Sequence, residues 1–147
     1  LEQNLRSFAD DDPLHHMKRQ AMVAGTTLES MQVYEILRSL EFLRSQPEID
    51  PARVTIVGQG ETGVNGLYAA LLDGKLQRIV LASPPASHRQ GPHYLGILKF
   101  TDIPEVVALM GEKLRLYGEI PPVIQSIVAK AGWERTVRME SLADALR

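Results

Sequence analysis

The sequence predicts an α/β fold: a parallel sheet of about four strands with helices on both faces. Three observations carry this. Short apolar, β-branched runs alternate with helical segments along most of the 147 residues, and that alternation builds parallel sheets through right-handed crossovers. One run, Arg53-Val54-Thr55-Ile56-Val57, passes straight into Gly58-Gln59-Gly60-Glu61-Thr62-Gly63, which leaves little side-chain bulk where the chain reverses into a helix. A long amphipathic segment precedes this junction, and its apolar stripe needs a sheet or another helix to cover it.

Length and composition bound the possibilities. At 147 residues the chain is one domain's worth. Apolar content of 44% and charged content of 23% are ordinary for a globular protein. A formal net charge of −2 gives no electrostatic case for nucleic acid or an anionic membrane as partner. Cysteine is absent, so there is no disulfide frame and no thiol chemistry. No apolar run reaches the roughly 20 residues of a membrane span, and the N-terminus has no charged-then-apolar leader pattern; a cytoplasmic protein is expected. The chain opens on Leu1 rather than Met, which suggests a trimmed or excised piece of something longer. No cofactor or metal is called for.

Taken in order, residues 1 to 20 read as a polar N-terminal arm carrying the acidic run Asp10-Asp11-Asp12. His15 and His16 are adjacent and point to different sides of any regular element, so they are expected as exposed histidines rather than a metal pair. Thr26 with Glu29 has capping-box spacing. The helix it opens repeats Val33, Ile36, Leu37, Leu40 and Leu43 at steps of three and four, and stops near Gln46 because Pro47 disfavours helix in its predecessor. Asp50-Pro51 makes a tight turn. Val54, Ile56 and Val57 then read as a strand buried on both faces. The next helix carries Val64, Leu67, Tyr68 and Leu71 on one side and ends at Asp73-Gly74, with Gly74 as left-handed cap.

The second half repeats the alternation. Arg78 to Ala82 is a second buried strand, ended by Ser83-Pro84-Pro85, and residues 83 to 100 are loop-rich. Asp102 caps a short helix with Glu105 at its third position. Lys113 to Tyr117 alternates as a third strand nearer an edge. Pro121-Pro122 opens a helix closed by Gly132; Trp133 to Met139 is a fourth strand, and Ser141 caps a last helix through Leu146.

The glycine junction has two meanings. Gly58-x-Gly60-x-x-Gly63 spells the phosphate-binding turn of dinucleotide folds. That fingerprint also wants a carboxylate at the end of the next strand, about 20 positions on, to hold a ribose. The next strand ends Leu81-Ala82-Ser83-Pro84, and Asp73 lies ahead of it, so nucleotide binding is the minor alternative. The other meaning is a strand-to-helix elbow that presents a catalytic residue at the sheet's end.

Two stretches favour the elbow. Glu35 through Val54, with Arg44-Ser45-Gln46-Pro47-Glu48-Ile49-Asp50-Pro51-Ala52-Arg53 at its centre, and Phe100-Thr101-Asp102-Ile103-Pro104-Glu105-Val106-Val107-Ala108-Leu109 resemble bacterial acetyl xylan esterase and dienelactone hydrolase-like members of the α/β-hydrolase superfamily. The resemblance covers roughly Gln20 to Tyr117 and implies the C-terminal half of that fold, beginning just ahead of the elbow strand. It implies that Gly60 stands where the nucleophilic serine belongs. Glycine has no attacking atom, which closes the acyl-enzyme route there. It further implies that the Glu61 N–H faces the oxyanion site, that Glu119 lies near the place of the catalytic acid, and that a histidine is missing after residue 137.

Two function classes follow. In the first, the domain is esterase-like by descent, non-catalytic or truncated, and meets a partner: a second copy in a homodimer, or a missing N-terminal half. In the second, it is a carboxylic-ester hydrolase of small esters with unorthodox residues, Glu61 working with His88 or His93. On their own, His88 and His93 read as surface residues and Glu61 as an exposed turn carboxylate.

Overall fold

The computed structural model describes residues 13–133 and 139–146. Pro13–Val23 is helical (α1) and Leu28–Arg44 forms the long helix α2. The N-terminal arm is therefore shorter than the sequence suggested: residues 13–20 are helical, and residues 1–12 lie outside the described residues. Pro13 suits a first helical position, where no partner exists for its missing N–H. His15 and His16 are both exposed on α1, as expected.

The cap of α2 falls one residue later than the spacing indicated. Thr27, at φ −133°, accepts the Ser30 N–H on its Oγ1 at 3.0 Å. Glu29 is buried and pairs with Lys18 of α1 at 3.4 Å rather than reaching back to close a box. Val33 and Leu40 are buried and Ile36 packs against the core, whereas Met31, Tyr34 and Phe42 stay exposed on the opposite side.

Asp50 accepts the Ala52 N–H and sets up a single 3-10 turn, Pro51–Arg53. Strand β1, Thr55–Gln59, follows, and helix α3, Gly60–Asp73, begins on the next residue. Gly74 at φ +65° caps α3 as predicted. At that end Arg44 holds Asp73 in a bidentate pair of 2.5 and 2.8 Å, largely shielded from water. The hydrogen bond to Arg44 is the main reason the Asp73 carboxyl sits below its ordinary range.

Strand β2 is Arg78–Ala82, helix α4 Ile103–Met110, strand β3 Leu114–Tyr117, helix α5 Pro122–Lys130 and helix α6 Leu142–Leu146. The capping box of Asp102 with Glu105 is present, and Ser141 accepts the Asp144 N–H at the start of α6. Among the described residues the sheet has three parallel strands in the order β1-β2-β3. The fourth strand expected at Trp133 to Met139 lies mostly outside them. At its far end the Met139 N–H donates to the Leu116 carbonyl, on the side of β3 away from β2.

The two faces of the sheet are unequal. Ile79, Leu81, Leu114 and Leu116 point to the face covered by α3, α4 and α5, where Val64, Leu67, Ile103, Val106, Val107 and Ile124 join them in one core. Each fully buried side chain of this size contributes about 1.5–3 kcal/mol. On the opposite face α6 stands over Arg78, whose Nη1 donates to the Ala145 carbonyl. Strand β1 departs from the reading as doubly buried: Val57, paired with Val80 on the face away from the core, is 51% exposed. None of the described helices is long and apolar enough to cross a membrane.

Candidate functional site

In parallel α/β sheets, ligands meet the rim formed by the carboxyl ends of the strands. The register here pairs Gln59 with Ala82 and Ala82 with Tyr117. The next residues, Gly60, Ser83 and Gly118, therefore follow neighbouring strand ends, spaced about 4.8 Å apart. All the sequence-derived candidates lie on these turns or the loop between them.

The first turn is the elbow. Strand passes to helix with no intervening residue, and Gly60 adopts φ +56°. Its tightness depends on Gly58 and Gly63. A Cβ on Gly58 would stand 2.5 Å from the Gly63 Cα, and one on Gly63 would stand 2.6 Å from Leu81 Cδ1 and 2.7 Å from the Gly58 carbonyl carbon. These glycines let the first turn of α3 lie directly on β1. Gly60 differs, because a Cβ there would meet nothing within 4 Å. The elbow thus offers an unfilled place at the position where a nucleophile is expected, in a backbone conformation L-residues resist.

Glu61 is exposed, and its carboxylate lies against the backbone of Gly91 in the loop after β2, where a Cβ would come within 2.5 Å of Oε2. That loop carries both candidate histidines, but the structure treats them differently. His93 is exposed and borders a cleft of about 270 Å3 with Tyr94 and Lys99. His88 is 2% exposed, which corrects its reading as a surface residue. Its Nδ1 lies 2.7 Å from the Pro92 carbonyl and its Nε2 2.8 Å from the Tyr68 hydroxyl. A carbonyl only accepts, so Nδ1 carries a proton, and Nε2 shares a hydrogen bond with the Tyr68 hydroxyl. Both nitrogens are engaged, and among the described residues no hydrogen bond joins either histidine to Glu61.

The loop is held down by a polar cluster that sequence reasoning missed. The Asp102 carboxylate accepts the Ser87 hydroxyl at 2.5 Å, the His88 N–H at 2.7 Å and the Ile103 N–H at 2.8 Å. Burial pushes its carboxyl up, but these hydrogen bonds prevail and hold it below the ordinary value. Tyr68, His88 and Tyr94 form a triangle of rings with centroids 4.9 to 5.5 Å apart. Tyr94 donates to Asn65, which donates to Gln32 of α2. Burial, reinforced by the charges of Asp102 and Glu105, pushes the Tyr68 phenol up to about 12, and burial raises Tyr94 as well. A lone asparagine in an otherwise small, apolar helix was the one available sequence cue.

The second and third turns meet at Ser83 and Glu119. Ser83 has φ +44°, the one positive value on a non-glycine among the described residues. Its N–H donates to the Tyr117 carbonyl at 2.9 Å, and its Oγ accepts the Glu119 N–H at 3.1 Å. Glu119 is exposed two residues past β3 and lines a cleft of about 340 Å3 with Ser83, Gln90 and the prolines 84, 85, 121 and 122. No group of three or more His, Asp or Glu able to hold a metal occurs among the described residues.

Comparison with protein-family models, with curated proteins and with solved structures finds no match to this chain.

Proposed function

We propose that this chain is an esterase-like α/β-hydrolase scaffold whose catalytic site is degenerate, so that it acts without hydrolysing esters. The observation that carries the reading is Gly60 itself: the first residue of the helix that leaves β1, at φ +56°, with open space where a side chain would stand. The close approach of Gly58 and Gly63 supports an elbow rather than a loose loop. The open edge of β1 among the described residues supports a sheet that continues past β1, as the resemblance to acetyl xylan esterase and dienelactone hydrolase-like proteins implies.

The remaining parts of a catalytic set are dispersed. Glu119 lies two residues beyond β3, near where the resemblance puts the catalytic acid, but neither histidine meets it by a hydrogen bond among the described residues. A base made of Glu61 with His88 would need His88 to release Tyr68 or Pro92, and among the described residues no hydrogen bond joins Glu61 to His93. Phosphate binding at the glycine turn is opposed by the Glu61 carboxylate in the first turn of α3, where a phosphate would sit.

Hydrolysis of p-nitrophenyl acetate tests the reading. The wild-type chain should turn over no faster than the Glu61→Ala, His88→Ala and His93→Ala variants, all at the level of a generic protein surface. Turnover well above that level and abolished by one of these changes would replace the degenerate site with the unorthodox hydrolase.

A further inference from the structure

The cleft between the turns after β2 and β3 has a hydrogen-bonding bias that the hydrolase reading does not use. We propose that it binds a primary alkylammonium group, with the Glu119 carboxylate and Ser83 Oγ taking the N–H donors and the proline walls taking the alkyl stem. This goes beyond the proposed scaffold reading and does not depend on it.

The bias comes from which groups are left over. Four of the nine lining residues are proline: Pro84, Pro85, Pro121 and Pro122. Proline offers a carbonyl but no N–H. Four of the other five backbone donors are already engaged: the Ser83 N–H on Tyr117, the Ala86 N–H on Gln90 Oε1, the Gln90 N–H on Ser87 and the Glu119 N–H on Ser83 Oγ. The charged member is Glu119, exposed and without an ion pair or side-chain hydrogen bond among the described residues. Ser83 Oγ holds one accepted hydrogen bond and keeps a second lone pair. The Pro121 and Ile120 carbonyls are engaged by α5, so the open acceptors are the Glu119 carboxylate and Ser83 Oγ, and the cleft is negative with few free donors. A phosphate or carboxylate would find the Gln90 amide and the Ser83 O–H as donors, but would meet the Glu119 charge in the same cleft. An ammonium brings three donors and the opposite charge.

The backbone supports a built feature rather than a gap between loops. Ser83 is held at φ +44° by bonds to Tyr117 and Glu119 on either side of Gly118. Gly118, at φ +78°, must lack a side chain, because a Cβ there would stand 2.6 Å from Ser83 Oγ. A non-glycine side chain resists this backbone region, and such strain clusters at binding sites. The volume, about 340 Å3, suits a short alkyl chain with its head group.

The test is titration of the isotope-labelled 147-residue chain by two-dimensional amide NMR with n-butylammonium, n-butanol and butyrate. Saturable shifts at residues 83, 90 and 119 with n-butylammonium, and at least tenfold weaker binding of the other two, are expected. Glu119→Gln, a surface change that leaves the fold intact, should weaken n-butylammonium at least tenfold. Nα-acetyl-lysine amide and spermidine then distinguish a peptide lysine from a free polyamine as the natural source. Equal shifts with n-butanol, shifts confined to other parts of the chain, or unchanged affinity in Glu119→Gln would each overturn the proposal.

Discussion

Two turns stand side by side on the sheet's rim and are built in opposite ways. The elbow after β1 is tight because atoms are missing: Gly58 and Gly63 touch backbone to backbone, and Gly60 takes a left-handed conformation at no steric cost. The turn after β2 is tight because a side chain is present. Ser83 takes a similarly left-handed φ, and hydrogen bonds from its neighbours hold it there. The first turn spends nothing on its conformation and has no group to offer a ligand. The second stores strain and keeps a hydroxyl at the cleft. Strain is retained at Ser83, whereas glycine has removed it from the elbow.

The comparison breaks most sharply at Gly63. A methyl there meets Gly58 backbone and Leu81, so Gly63→Ala should cost about 3 kcal/mol, read as a fall in the urea midpoint with unchanged slope. An effect under about 1 kcal/mol would mean the elbow relaxes easily. Gly118→Ala probes the second turn. Its new Cβ meets the end of a side chain rather than backbone, so a smaller loss of about 2 kcal/mol is expected, from left-handed strain and displacement of Ser83 Oγ.

Gly60→Ser separates space from competence. Nothing obstructs the side chain, so only the backbone cost of about 1–2 kcal/mol should appear. Hydrolysis of p-nitrophenyl acetate should not rise, because no general base reaches position 60. Activity gained by this single change would show that a base is in place after all.

Acid should distinguish the two turns by a smaller margin. The loop after β2 is tied down through Asp102, whose carboxyl lies below its unfolded value of about 3.9. A depressed carboxyl stabilises the fold above that unfolded value, and the contribution fades as pH falls through the lower folded value. Asp102→Asn keeps a capping side chain but loses the charge. It should cost about 1 kcal/mol at pH 7 and progressively less below pH 4, measured as urea midpoints across pH. A variant whose deficit stays constant with pH would place the anchoring in shape rather than charge.

How much of this was legible depended on whether the cause was local. Gly58, Gly60 and Gly63 announced the elbow, Gly74 its helix cap, and Asp102 with Glu105 the capping box, because each acts within a few residues of itself. Val57 was read as doubly buried because β-branched residues say that a strand forms, not which neighbours it has. His88 was misread as a surface residue: its partners Tyr68 and Pro92 come from another helix and from the loop's own return, and neither is written in the spacing. Ser83 left no trace at all. The following Pro84 biases it toward extended backbone, and only β3, arriving more than thirty residues later, imposes the opposite.

The clamp between Arg44 and Asp73 bears on the order in which the chain assembles. It joins the ends of α2 and α3 across 29 positions of sequence and encloses β1 between them. Closing so short a stretch costs little chain entropy, and the segment contains the elbow's backbone contacts as well as the face of α2 that meets α3. Residues 28–73 can therefore assemble among themselves before β3 arrives. A change at Arg44 should slow folding, whereas one at Ile124 in α5 should chiefly quicken unfolding.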